Sequence, residues 1–186
     1  SGFVSCVQGD TPATRTPTEN GYTTEFNDGD AIGIFALKEY ATPDVTPVDG
    51  VYNLKLVYTK AADGSGSWAP ASGDTHVLYN YDDDLVYVAY YPYREGITIK
   101  QDIETEIFKD LAANAKLQPA ADQSTPAAYT GSDLMAAVAR PATDPTDANK
   151  KVLTLAFEHL HALLVFKPSE GFLRYVSPDG GFEYRD

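Results

Sequence analysis

The chain has 186 residues, 43% of them hydrophobic, with 14 Lys and Arg against 27 Asp and Glu, a formal net charge of −13. That length fits one domain, or one domain with an incomplete neighbour, and the apolar share is enough for a sizeable core. The acidity argues against nucleic acid and against anionic membrane surfaces, because both demand clustered Lys and Arg; it is the ordinary means of keeping a chain soluble.

Tyrosine (13) and phenylalanine (8) favour half-buried pleated surfaces, and the 14 glycines and 12 prolines spread along the chain imply many turns. Both point to an all-β domain with many connections. A single cysteine, Cys6, excludes an intrachain disulfide and a Cys-rich zinc site. No run approaches the ~20 apolar residues of a spanning helix. No basic segment precedes an apolar one, which leads us to expect a mature or trimmed form. The residues Phe3-Val-Ser-Cys6 are similar to the end of a lipoprotein signal but lack its hydrophobic segment, so Cys6 is expected to be a buried strand residue.

In chain order, residues 2–8 are short and β-branched and predict a strand. Residues 9–22 are turn-rich, with Asn20-Gly21 the strongest signal. Asp28-Gly29 predicts a turn, after which Ile32, Ile34 and Ala36 alternate as a strand. Residues 41–50 carry Pro43, Pro47 and Asp49-Gly50 and predict a loop, and residues 51–59 another strand. A flexible turn at 63–67 leads to Trp68, and residues 79–84 form a polar connection.

Residues 85–93 read Leu-Val-Tyr-Val-Ala-Tyr-Tyr-Pro-Tyr. Leu85, Tyr87, Ala89 and Tyr91 fall on one face, and Val86, Val88 and Tyr90 on the other. Both faces are apolar, which predicts a central strand covered on both sides, ended by Pro92, which has no N–H to give. Core wins over an aromatic binding platform here, because a platform needs exposed rings.

Ile97, Ile99, Gln101 and Ile103 alternate in phase. Residues 108–128 permit a short helix stopped by Pro119. Residues 132–139 fit a helical turn capped by Ser132 or a strand, and residues 141–149 a polar loop. The clearest strand is 152–166, where Leu153, Leu155 and Phe157 share one phase and Leu160, Leu164 and Phe166 the other. The change near Glu158–His159 implies a bulge, a bend or burial on both faces. After Lys167 no clear period remains. Strands and turns at intervals of about ten residues predict a β-sandwich or barrel.

Chemistry-bearing patterns are sparse. His159 and His161 form an H-x-H pair that would point to one face of a strand and reach a metal, but His76 is distant, so a structural pair is preferred. Asp82-Asp-Asp84 lacks the alternating loop of a calcium site, and Asp28-Gly29-Asp30 reads as a turn. Gly64-Ser-Gly66 follows no βα pattern, and no G-x-S-x-G elbow is present. A facing carboxylate pair of the kind glycosidases use is not legible from sequence. No catalytic, cofactor-binding or metal residue is assigned.

Six segments occur in order: Thr14-Arg-Thr-Pro17, the stretch from Phe26 to Leu37, Trp68 in Ser-Trp-Ala-Pro, Val86 to Tyr93, Asp133 to Ala137, and Leu153 to Lys167. Together they resemble the fimbrillin-like (Mfa-like) family of surface proteins from anaerobic gut and oral bacteria, over roughly residues 3–167. The resemblance implies a Greek-key, transthyretin-like β-sandwich with one or two short helices in its connections. It implies a domain at 1–167, with 168–186 an unassigned tail or the start of a C-terminal domain missing here. It further implies a non-enzymatic fimbrial subunit or adhesin, exported to the outer membrane and held there by a lipid anchor upstream of these residues. Expected partners are other fimbrial subunits and a host glycan or protein, with no cofactor and no nucleic acid. Related pilins assemble after an Arg-specific protease removes their first strand; the matching position here is Arg15. The alternatives are a surface carbohydrate-binding module, for which Trp68 and Tyr129 are the rings to inspect, and a hydrolase built on a carboxylate pair.

Overall fold

The structure, a computed structural model, describes residues 2–7, 26–38, 48, 51–62, 66–72, 85–99, 104–161, 175–176 and 182–183. Its strands are β1 (Gly2–Val7), β2 (Ala31–Lys38), β3 (Leu54–Lys60), β4 (Gly66–Pro70), β5 (Leu85–Tyr91), β6 (Met135–Ala139), β7 (Ala142–Asp144), β8 (Asp147–His159), β9 (Tyr175–Val176) and β10 (Phe182–Glu183). Two short helices, α1 (Glu104–Ala113) and α2 (Pro126–Thr130), lie between β5 and β6. The fold is all-β, as the composition implied.

The main sheet runs β1-β8-β6-β5-β2-β3-β4, with β7 also paired to β8; β9 and β10 form a separate antiparallel pair. Every pairing in the main sheet is antiparallel except β1 with β8, which is parallel.

Strand β2 begins for a local reason. The turn before β2 is closed by Asp30 N–H donating to the Asn27 carbonyl at 2.9 Å and Asn27 N–H donating to Asp30 Oδ2 at 2.7 Å. Gly29 there adopts φ 85°, a conformation that favours glycine. Asp28 Oδ1 accepts the Lys60 N–H at 3.0 Å, tying the turn to the end of β3. These carboxylates thus serve the backbone, in keeping with a turn.

Strand β5 sits between β2 and β6. Its two phases enter two different cores. Leu85, Tyr87, Ala89 and Tyr91 join Ile32, Ile34, Leu56, Trp68, Met135, Leu153, Leu155 and Phe157. Val88 and Tyr90 join Phe35, Leu37, Leu134 and Ala136, over which Ile97, Ile99, Ile107, Leu111 and Leu117 are laid. The double-sided burial expected for this strand is therefore observed. Its chain exit carries a cis peptide at Tyr91-Pro92.

The first core also requires the sheet to curl. Leu153, Leu155 and Phe157 on β8 pack in one cluster with Leu56 and Trp68, which lie on β3 and β4 towards the other end of the strand order. A flat sheet would hold those strands several ~4.8 Å spacings apart. The end strands β1 and β4 accordingly come within 8 Å of one another, Cα to Cα, along a seam. The concave face is the first core; the helical layer covers the convex one.

The structure sharpens the sequence reading at four places. Ile97 and Ile99, which alternate in phase, lie in no strand: Gly96, at φ 68°, turns the chain, and the two isoleucines anchor it across the convex face, while Gln101 and Ile103 lie outside the described residues. There the Tyr52 hydroxyl stands 3.2 Å from both the carbonyl and the N–H of Ile99, taking the place of a ladder partner. The helix expected within 108–128 starts earlier, at Glu104, because Ile107 and Leu111, four apart, share the face that packs down. It gives way to a 3-10 turn at Ala115–Leu117 capped by Asn114, whose Oδ1 accepts the Lys116 N–H at 3.0 Å, just before Pro119.

Of the two readings open for residues 132–139 the strand holds, as β6, and Ser132 caps no helix. Its hydroxyl donates to the Ala128 carbonyl at 2.7 Å and accepts the Ala120 N–H at 2.9 Å, closing the end of α2, and β6 begins three residues later. The supposed polar loop at 141–149 is a hairpin, β7 to β8, whose turn is held by Asp144 Oδ1 accepting the Thr146 N–H at 2.7 Å. Strand β6 meets β8 at Met135↔His159 and Ala136↔Glu158, and β7 meets it at Ala142↔Val152 and Thr143↔Lys151. These two ladders keep a single register, interrupted over a stretch that contains Pro141, which has no N–H to contribute.

The phase change foreseen near Glu158–His159 is real. Phe157 lies in the concave core, whereas Leu160 packs against the convex one and donates its N–H to the Leu134 carbonyl at 2.8 Å. Residues 162–166 of the expected strand lie outside the described residues.

Candidate functional site: an edge strand over a sealed aromatic core

The aromatic residues decide first what kind of site this is. Phe26, just before the β2 turn, packs edge-on against Trp68 (5.0 Å), Phe157 (5.3 Å) and Tyr91 (5.8 Å). Trp68 is only 6% exposed and Tyr87, Tyr90 and Tyr91 at most 4%. No face of the Trp68 ring is open to stack on a sugar. Tyr129, the other candidate ring for that role, is half-buried on α2.

On the convex side Tyr90 is fully buried, yet its hydroxyl is used. It donates to Asn53 Oδ1 at 2.6 Å, has the Arg94 carbonyl at 2.9 Å as a second acceptor, and accepts the Arg94 N–H at 3.2 Å. Asn53 Nδ2 donates to that same carbonyl at 3.0 Å. Asn53 holds φ 52°, which Asn tolerates better than most residues. Burial, the largest influence, pushes the Tyr90 phenol well above its ordinary value of 10.0, only partly opposed by the Arg94 backbone bond. A phenol held neutral and saturated with protein partners is a structural pin rather than an acid or base. Sequence reasoning placed Tyr90 in a core but missed this node, in which Asn53 meets the Tyr90–Arg94 stretch from 37 residues away.

The histidine pair does not form a shared face. His159 ends β8 and its Nδ1 stands 2.7 Å from Asp133 Oδ1, clamping the start of β6 to the end of β8. His161 lies beyond the strand, and its buried Nδ1 has no hydrogen-bond partner among the described residues. Among the described residues no three His, Cys, Asp or Glu gather closely enough to hold a metal. His76, Asp82, Asp83, Asp84 and Arg15 lie outside the described residues.

What remains is backbone. Strand β1 comes from the start of the chain and pairs, from Gly2↔Val152 to Val7↔Phe157, with β8 alone among the described strands. Its other edge faces the seam with β4. Strand β8 in turn supplies Leu153, Leu155 and Phe157, all wholly buried, to the concave core. On the far side of the seam, β4 carries Pro70, whose missing N–H suits an edge position. An edge strand with one neighbour can open locally more readily than a central one. Without it, β8 would present a row of unpaired backbone groups.

The fimbrillin-like family profile matches residues 14–176. The chain belongs to the fimbrillin-like family. It is 38% identical over 128 residues to a putative fimbrium tip subunit, Fim1C, of Bacteroides ovatus, a match covering 67% of this chain and 20% of that protein. A crystal structure of a fimbrial protein from Bacteroides ovatus superposes with a TM-score of 0.56 at 25% identity, over 85% of this chain and 28% of that one. The fimbrillin-like chain thus spans between a fifth and a third of the length of these relatives. The family match begins at Thr14, so β1 precedes it and Arg15 falls at its start. No helix among the described residues of this fimbrillin-like chain is long and apolar enough to cross a membrane.

Proposed function

We propose that this fimbrillin-like chain is a non-enzymatic structural subunit of a fimbrium, exported to the cell surface and joined to its neighbours by strand complementation. The observation that carries the reading is β1: an edge strand whose sole partner among the described strands is β8, against which it runs parallel over a buried hydrophobic core. Cutting after Arg15 frees β1, and a strand from a neighbouring subunit takes its place on β8, satisfying the same backbone groups. Residues 1–167 are the N-terminal domain of a longer fimbrial architecture, and 168–186 lead out of it. The likeness to a fimbrium tip subunit supports a place at the distal end, where an adhesin would meet a host glycan or protein. Attachment to the outer membrane comes through a lipid anchor upstream of these residues. The buried state of Trp68 speaks against the carbohydrate-binding alternative in the form that relied on that ring.

The test is limited digestion of the folded protein with an Arg-specific protease, followed by intact mass and size-exclusion chromatography. Cleavage between Arg15 and Thr16, loss of the N-terminal strand and a gain in self-association are expected. Resistance at that bond, or cleavage that leaves a monomer indifferent to its own kind, would overturn strand complementation in this chain.

A further inference from the structure

We draw no further inference here: the strongest candidate, the seam where the end strands β1 and β4 approach one another, belongs to the strand-exchange groove already described, and nothing else in the structure shows what would cover it.

Discussion

Replacing Tyr90 by Phe removes a single oxygen from the convex core and leaves the ring in place. Two partners are stranded: Asn53 Oδ1, which loses a donor at 2.6 Å, and the Arg94 N–H, which loses an acceptor at 3.2 Å. Leaving buried groups unsatisfied costs about 1–3 kcal/mol. Asn53 is half-buried and its amide keeps the Arg94 carbonyl, so water recovers part of the loss and the lower portion of that range, about 1–2 kcal/mol, applies. In a chain of 186 residues this lowers Tm by roughly 2–8 °C. Urea unfolding followed by Trp68 fluorescence measures it. The pH dependence supplies an independent readout. Burial raises the Tyr90 pKa in the folded state above the ordinary 10.0, so above that pH the folded chain holds a proton that the unfolded chain releases. The resulting stability is complete below pH 10 and declines as pH rises beyond it. The Phe variant lacks this contribution, so its alkaline decline is expected to be shallower than the parent's. A variant equal to the parent in both midpoint and alkaline slope would refute the role given to the hydroxyl.

Gly33→Ala places a Cβ 2.6 Å from Tyr90 Cζ and 2.7 Å from Asn53 Oδ1; a loss of about 1–3 kcal/mol is expected, and an unshifted urea midpoint would mean the ring moves freely. Leu155→Ala empties a wholly buried position on β8 and is expected to cost about 2–5 kcal/mol, read by thermal unfolding, with a loss under 1 kcal/mol counting against a core that reaches from β8 to β4. Asp133→Asn removes the carboxylate charge facing His159, but those side chains are 26% and 39% exposed. A change of only about 0–1 kcal/mol is expected near pH 6, and a larger one would show that the clamp governs the β6–β8 junction.

Much of the interior was legible because period two identifies faces. The two apolar phases of residues 85–91 assigned Tyr87 and Tyr90 to opposite cores before any partner was known, and the phase change at Glu158–His159 marked where the chain crosses from one core to the other. Partners were not legible. The same alternation in Ile97 and Ile99 served a chain segment lying flat on the convex face, since periodicity reports burial and not hydrogen bonding. The parallel match of Gly2 with Val152 joins the two ends of the described sheet in sequence, and no local signal encodes a pairing that remote. Trp68 is a ring to inspect under the carbohydrate-binding alternative, and no local signal shows its burial; the cluster of Phe26, Tyr58 and Phe157 that covers it comes from three distant segments. The hairpin at Asp144–Asp147 escaped notice because its strand residues are polar and its turn holds a proline.

Alternate side chains of β5 belong to opposite cores, so neither core can melt while the other stays whole: withdrawing Tyr87 drags Tyr90 with it. The two hydrophobic layers are thermodynamically geared together through six residues of this one strand. A β1 that detaches at the rim leaves that gearing untouched, and the chain would then have a removable border around an indivisible centre.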